Sequence, residues 1–185
     1  PKARKSWDAK RLTNSQGVVP KNIRTKELRF AQSLPNDLNN SNLSWTAEGP
    51  FNVGGRTRAL AYDVTNENTL IAGGASGGIW RSTDLGQSWN KMTRHFQLHN
   101  VTCIAQDTRP GKENIWYYGT GESSGNSASG DGAYFDGNGL YKSVDNGLTW
   151  DSISSTSDNN AAGAFNTFDF SWNIALDPSN LEEDE

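Results

Sequence analysis

The sequence predicts an all-β fold built from many short strands, and three observations support this class. Glycine occurs 19 times in 185 residues, and Gly, Asn and Ser together predict the frequent turns that separate short strands. Seven Trp, seven Phe and five Tyr supply large core residues to a chain in which 34% of residues are hydrophobic. A segment that contains four predicted strands also occurs twice in succession.

Composition excludes several classes of function. A single Cys leaves no disulfide framework and no multi-cysteine zinc site, and two His offer little to a histidine metal centre or triad. We therefore assign no metal ligands and expect no cofactor, with Ca²⁺ as the one open alternative. No apolar run approaches the roughly 20 residues that span a bilayer, so we expect no transmembrane segment.

Residues 1–44 are predicted to form a basic N-terminal extension and linker with a short helix. Residues 1–30 carry a net charge of +7 and the remaining residues carry −11. This asymmetry is typical of nucleic-acid-binding arms, but no nucleic-acid motif accompanies it, so we interpret the segment as a leader lying against an acidic domain. Apolar residues at helical spacing, ended by Pro35, predict the helix. These residues are Ile23, Phe30, Ala31 and Leu34.

An internal repeat organises the rest of the chain. The first copy of its central box reads Ser82-Thr83-Asp84-Leu85-Gly86-Gln87-Ser88-Trp89, and the second reads Ser143-Val144-Asp145-Asn146-Gly147-Leu148-Thr149-Trp150. Both follow S-x-D-x-G-x-S/T-W. Upstream, an apolar segment ending in Asp occurs at 59–63, at 103–107 and again at 173–177. Each unit thus contains four predicted strands, with the box between the third and the fourth.

Four short strands per repeat predict the blades of a β-propeller. We expect residues 45–185 to form its N-terminal part, with blade 1 at about 45–94, blade 2 at about 95–160 and the start of a third blade at about 161–185. Propellers close with about four to eight blades, so the chain is expected to be a fragment of a longer protein. The alternative is a complete two-sheet sandwich of 185 residues.

The boxes are predicted to be structural. An Asp in a tight turn accepts hydrogen bonds from nearby backbone N–H groups, Gly adopts positive φ, and Trp packs over the hairpin. The residues assigned to this role are Ser82, Asp84, Gly86, Trp89, Ser143, Asp145, Gly147 and Trp150. The alternative assigns the two Asp as catalytic acids, but equivalent turns of successive blades would hold them far apart.

These boxes resemble the Asp-box (BNR) repeat of sialidase-like β-propellers. The stretches 49–61 and 72–84, with 118–122 and 139–143 in the second repeat, are also similar to exported propeller proteins common in Bacteroidetes. The resemblance implies secretion or display at the cell surface, associated with the outer membrane, and export as cargo of the type IX secretion machinery.

Two arginines are predicted ligand-binding residues. Arg56 and Arg58 precede and begin the first strand of blade 1, at the end of the blade opposite the box, where propellers usually bind ligands. The resemblance to sialidases implies an Arg near this place that pairs with a substrate carboxylate. The F/Y-R-I-P motif of those enzymes is absent, however, since this chain reads Gly55-Arg56-Thr57-Arg58. The alternative is that Arg56 or Arg58 pairs with acids of the protein itself.

A long polar loop in the second repeat supplies the other candidates. Its predicted ligand-binding residues are Glu122, Asp131, Tyr134 and Asp136. With Asn138, the three acids offer oxygen ligands to Ca²⁺, although without EF-hand spacing. The aromatic residue either stacks on a sugar ring or pins the loop to its own blade. Glu122 with Asp131 or Asp136 is also a candidate carboxylate pair for glycoside hydrolysis.

The function that the sequence favours is a non-catalytic binding or adhesion scaffold for a glycan or a surface protein. The alternative is a glycoside hydrolase of sialidase-like or xyloglucanase-like type, and a third interpretation treats the segment only as export cargo. No catalytic residue is assigned, because the fold alone does not decide among these functions. The partners expected are the remainder of its own propeller, a surface ligand and the secretion machinery, with no nucleic acid.

Overall fold

The structure is a computed structural model that describes residues 10, 13–18, 23–34, 54–125, 133–157 and 168–179. Two compact units are present, one made of Pro1–Gly54 with Asn159–Ala164 and the other of Gly55–Asp158 with Phe165–Glu185. The predicted linker at 36–44 and the predicted start of blade 1 at 45–53 lie outside the described residues.

The first unit contains helix α1, Ile23–Ser33. The hydroxyl of Ser33 donates to the carbonyl of Phe30 at 2.7 Å, in the last turn before the Pro35 that the sequence places just beyond the helix. The helix thus forms where its apolar spacing predicts, but Phe30 and Leu34 are exposed rather than packed. No helix in the described part of the chain is long and apolar enough to cross a bilayer.

The second unit consists mainly of two antiparallel four-stranded sheets, each in the order of a simple meander. The first sheet contains β1 (Thr57–Asp63), β2 (Asn66–Gly74), β3 (Gly78–Ser82) and β4 (Asn90–Lys91). The second sheet contains β5 (Val101–Gln106), β6 (Trp116–Thr120), β9 (Leu140–Ser143) and β10 (Asp151–Ser152), followed by a 3-10 turn at Ser154–Thr156. This arrangement is consistent with a fragment of a β-propeller.

The two sheets pack face to face because a small residue of one admits a side chain of the other. A Cβ on Gly73 of β2 would lie 2.4 Å from Val101 Cγ1 of β5, so only glycine fits there. The core between the sheets is apolar and aromatic. Its buried members are Ile71, Ile79, Val101, Trp116, Tyr118, Tyr141 and Trp150.

The same contact occurs again on the far side of the second sheet. A Cβ on Gly119 of β6, the counterpart of Gly73, would lie 2.6 Å from Ser171 Cβ. The backbone N–H of Ser171 donates to the carbonyl of Thr120 at 3.0 Å. The segment 168–179 therefore packs on the second sheet at the place where β5 packs on the first.

Polar contacts between the two sheets fix their position relative to each other. Asp63, at the end of β1, accepts hydrogen bonds from Gln106 Nε2 at 2.9 Å and Asn146 Nδ2 at 2.7 Å. Arg81 Nε donates to the carbonyl of Asn146 at 3.0 Å. Burial raises the pKa of Asp63, but the hydrogen bonds from Gln106, Thr65 and Asn146 outweigh it and hold the pKa below its ordinary value. The box of the second sheet is thus anchored to an ionised group of the first.

Two expectations differ from the structure. The polar loop between β6 and β9 contains a separate two-stranded hairpin, β7 (Glu122–Gly125) with β8 (Ala133–Phe135). The segment 173–177, expected to begin a third set of strands, is not a strand, because no other described strand pairs with it.

Each of the three repeated apolar segments still ends in the same turn. A carboxylate Oδ1 accepts a hydrogen bond from the backbone N–H two residues later in all three. The pairs are Asp63 with Thr65 at 2.9 Å, Asp107 with Arg109 at 3.0 Å, and Asp177 with Ser179 at 2.9 Å. The repeat therefore extends into the third segment although the strand does not.

Candidate functional site

The box of the first sheet forms a turn whose polar groups bond to one another. Asp84 Oδ1 accepts from the N–H of Ser88 at 2.9 Å and from the hydroxyl of Ser82 at 2.7 Å, while its Oδ2 accepts from the Ser88 hydroxyl at 2.6 Å. The N–H of Gly86, at a φ of +83°, donates to Ser82 Oγ at 2.8 Å. Trp89 Nε1 donates to the carbonyl of Gly86 at 3.0 Å and closes the turn.

The second box repeats these contacts. Asp145 accepts from the N–H of Thr149 at 2.8 Å and from the hydroxyls of Ser143 and Thr149, and Trp150 Nε1 donates to the carbonyl of Gly147 at 3.1 Å. Both box carboxylates are thus held within their own turns, one in each sheet. Hydrogen bonds of this kind stabilise tight turns.

The hydrogen bonds of the first box set the ionisation of its carboxylate. The hydrogen bond from the Ser88 hydroxyl, with others from the Ser88 N–H and from Ser82, lowers the pKa of Asp84 from 3.8 to about 2. For Asp145, burial raises the pKa, but hydrogen bonds from Thr149 and Ser143 outweigh it and the net pKa is lowered. Both groups are anionic at neutral pH.

A folded-state pKa below the unfolded one gives stability that is present above the unfolded pKa and is lost as pH falls through the folded pKa. We therefore expect the free energy of unfolding to fall between pH 4 and pH 2 because Asp84 protonates with a pKa of about 2. In Asp84→Asn this pH dependence, measured by urea titrations across that range, should be shallower than in the wild type. Equal slopes for wild type and Asp84→Asn would contradict the assignment.

The end of the two sheets that lies opposite the boxes is called here the Arg56 end. It contains the segments that precede β1 and β5 and the connections that follow β2 and β6. The carbonyl of Arg56 accepts from the N–H of Ala75 at 2.9 Å, and the carbonyl of Asn100 accepts from the N–H of Gly121 at 3.2 Å. Arg56 and Asn100 hold equivalent positions in the two repeats. Glu122, the first residue of hairpin β7–β8, accepts a hydrogen bond from Arg56, so the hairpin begins beside β1.

A cluster of three charged side chains lies at this end. Glu122 is fully buried, and its two carboxylate oxygens accept from the guanidinium of Arg56, with Arg56 Nη1 at 2.9 Å from Oε1. Arg58 Nε lies 3.3 Å from the same Oε1. The structure therefore brings together three of the residues that the sequence selected, in the ion pair that was the alternative to ligand binding.

Arg58 also contacts an aromatic ring that sequence reasoning did not select. Its guanidinium carbon lies 5.5 Å from the centre of the Trp172 ring, and Trp172 is 51% exposed. Trp172 follows Ser171, the residue that packs on Gly119, so the third repeat segment carries it to the Arg56 end. The sequence signal that could have identified Trp172 is the alignment of 171–177 with 101–107, which places Trp172 at the position of Thr102.

Asp136 is the one remaining candidate whose side chain the structure describes, and it forms no ion pair with this cluster. The carbonyl of Asp136 accepts from Asn100 Nδ2. Asp131 and the side chain of Tyr134 lie outside the described residues. Among the described residues no group of three His, Cys, Asp or Glu side chains is arranged to hold a metal ion.

A second buried ion pair was missed by sequence reasoning. Arg109 donates through Nε to both carboxylate oxygens of Asp107, at 2.9 and 3.1 Å, and both side chains are buried. Asp107 directly follows β5, and Asp63 is the last residue of β1, so the shared Asp turn was the available signal. The pair secures that turn.

No family model matches this chain, and no curated protein matches it. Among solved structures, an ancestral GH74 enzyme is 20% identical with a TM-score of 0.39, over 54% of this chain and 13% of that one. The GH74 enzyme of Niastella koreensis is 25% identical with a TM-score of 0.37, over 52% and 14%. The GH74 xyloglucanase of Xanthomonas campestris is 22% identical with a TM-score of 0.36, over 56% and 16%. The chain thus spans less than one fifth of the length of each of these enzymes.

Proposed function

We propose that this chain is part of a β-propeller that binds an acidic glycan at the Arg56 end of its sheets. The observation that carries the proposal is the Arg58 guanidinium, which lies on the exposed Trp172 ring beside a carboxylate already matched by Arg56. The sheets serve as a rigid scaffold, and the groups at their ends make the ligand contacts.

Charge favours an anionic ligand. Two guanidinium groups meet one carboxylate, so the cluster of Arg56, Arg58 and Glu122 has a net charge of +1. Arg56 donates through both terminal nitrogens to Glu122, whereas Arg58 lies nearest to Glu122 through Nε and its side chain is 30% exposed. The terminal nitrogens of Arg58 can therefore donate to a ligand carboxylate or sulfate.

The aromatic ring favours a sugar as the body of that ligand. Trp172 is 51% exposed beside a cation, and sugar rings present C–H groups that pack on exposed aromatic rings. A uronate or sulfated sugar supplies both features, an apolar ring face and a negative group.

The proposal favours binding over hydrolysis. Glycosidases use two carboxyl groups that face each other across the substrate. Glu122 is engaged by two guanidinium groups, which leave its carboxylate paired within the protein. We further propose export to the cell surface, on the resemblance of residues 49–61 and 72–84 to exported propeller proteins.

Substitution of the open arginine tests the proposal. Arg58→Gln should weaken binding of uronate-bearing or sulfated oligosaccharides by about 10- to 100-fold, because it removes a charge-assisted hydrogen bond. Trp172→Ala should weaken binding of acidic and neutral sugars alike, because stacking does not depend on ligand charge. Affinities are measured by isothermal titration with a matched set of neutral and acidic oligosaccharides.

The matched control is Arg94→Gln, which removes another arginine that lies over an aromatic ring, Phe96, at 6.0 Å but contacts no acid among the described residues. It should leave affinity unchanged. Wild-type affinity in Arg58→Gln would refute the site. Release of shorter sugars from an oligosaccharide by the wild-type protein would show that it is a glycoside hydrolase and not a binding scaffold.

A further inference from the structure

The base of hairpin β7–β8 is closed by two glycines that contact one carbonyl group. Gly121 precedes β7, Gly137 follows β8, and the N–H of Gly137 donates to the carbonyl of Asp169 at 2.9 Å. A Cβ on Gly121 would overlap the Asp169 oxygen and lie 2.8 Å from the nitrogen of Gly137. A Cβ on Gly137 would overlap the same oxygen. We call Gly121, Gly137 and the Asp169 carbonyl the clamp, in which three backbone segments meet without room for a side chain.

The clamp has a counterpart in the first sheet. The N–H of Gly78 donates to the carbonyl of His99 at 2.7 Å, and His99 and Asp169 hold equivalent positions in their repeats. In the first sheet the connection that ends at Gly78 is short, residues 75–77, whereas residues 121–139 connect β6 to β9. The contact with the carbonyl is kept although the hairpin lengthens the connection. The clamp therefore belongs to the repeat, and the hairpin is inserted within it.

The clamp holds the segment that carries Trp172. Its carbonyl belongs to Asp169, three residues before Trp172. The neighbouring Ser171 donates through its N–H to the carbonyl of Thr120 at 3.0 Å, and the Ser171 carbonyl accepts from the hydroxyl of Thr102. Main-chain groups make all of these contacts on the side of the segment. The point from which the Trp172 side chain projects is therefore set by the backbone that precedes it.

We propose that Gly121 and Gly137 are positioning residues of the glycan site. By fixing the Asp169 carbonyl they hold the Trp172 ring against the guanidinium of Arg58, whose carbon lies 5.5 Å from the ring centre. The Trp172 side chain is 51% exposed, so packing restrains it little and its place depends on the main chain. The inference rests on the proposed glycan binding, but the position of the ring is measured without a ligand, so the two can fail separately.

Fluorine NMR of the intact protein labelled with fluorotryptophan tests the position of the ring. The chain contains seven Trp, and the resonance that is missing from Trp172→Phe identifies that of Trp172. Arg58→Gln should shift this resonance, because it removes a cation from the ring. In Gly121→Ala and in Gly137→Ala the resonance should move toward its position in urea and lose its response to Arg58→Gln.

A core tryptophan reports whether these variants fold. Trp116 is fully buried, and its resonance, identified from Trp116→Phe, should keep its position in both glycine variants. A shift of that resonance to its urea position in both variants would assign the clamp to the fold and not to the site, and would overturn the proposal. An unmoved Trp172 resonance in folded Gly121→Ala and Gly137→Ala would overturn it as well.

Gly111→Ala is the matched control. Gly111 has a φ of +81°, close to the +88° of Gly121, but a Cβ there would meet no described atom within 4 Å. The variant therefore carries the same backbone strain without the overlap, and the Trp172 resonance should stay in place. A displaced Trp172 resonance in Gly111→Ala would show that backbone strain, and not the clamp, moves the ring, and would contradict the proposal.

Affinity for acidic oligosaccharides links the clamp to binding. Gly137→Ala is used here, because Gly121 adjoins Glu122. It should weaken binding about 10-fold in the wild-type background and by less than about 2-fold in Trp172→Ala, because the ring that it displaces is already absent there. Equal losses in both backgrounds would overturn the proposal. Absence of binding by the wild-type protein would refute the glycan site itself, a failure distinct from an unmoved ring.

Discussion

Trp150→Ala is expected to lower the free energy of unfolding by about 3–5 kcal/mol, the cost of removing a large buried aromatic side chain. Trp150 is 2% exposed, and its ring lies 4.9 Å from that of Tyr118 in an edge-to-face contact. Its Nε1 donates to the carbonyl of Gly147 at 3.1 Å, so the substitution also leaves a box carbonyl without a donor. Urea titrations with an unchanged m-value measure the loss.

Trp172→Ala is the matched control, because it removes the same side chain from a position that is 51% exposed. Its loss should be about 1 kcal/mol or less, the value of an exposed cation–π contact with Arg58. Similar losses in both variants would show that the box tryptophan does not stabilise the sheets more than a surface tryptophan. A stable Trp172→Ala protein is also what the glycan experiment requires.

Arg56→Met is the second large prediction, with an expected loss of about 3 kcal/mol in the free energy of unfolding. Among the described residues, the substitution leaves the fully buried Glu122 carboxylate with Arg58 as its one remaining cationic partner. Removal of one partner of a buried pair exposes the desolvation cost of the other, whereas replacement of both partners can be nearly neutral. The double variant Arg56→Met/Glu122→Leu should therefore be more stable than Arg56→Met.

A double-mutant cycle over Arg56 and Glu122 measures this coupling directly. We expect an interaction energy of at least about 1 kcal/mol, well outside the additivity of distant sites. Arg94→Met, on an arginine that contacts Phe96, should change stability little. Additive losses in the cycle would indicate that the ion pair contributes nothing specific to the Arg56 end.

The sheets were predictable because the residues that determine each turn lie close together in the sequence of each repeat. The box fixes the turn between the third and fourth strands, and the hydrogen bonds of Asp84 and Asp145 reach no further than four residues along the chain. Alternating short strands and turns then leave a meander as the simplest pairing. The same local logic placed Gly86 and Gly147 at positive φ.

The contacts that create the site were not predictable, because they join distant residues without a local pattern. Glu122 lies 66 residues from Arg56, and Asn146 lies 83 residues from Asp63. Asn146 occupies a variable position of the box, so the motif itself says nothing of its partner. The hairpin β7–β8 was hidden because Gly- and Ser-rich sequence predicts a loop unless another strand is close enough to pair with it.

The direction of the Asn146 contact bears on the order in which the protein folds. The second sheet reaches back to a group of the first, so a chain that emerges from its N-terminus completes Asp63 before the side chain that binds it has been made. The second sheet therefore forms against a first sheet whose Asp63 is already in place.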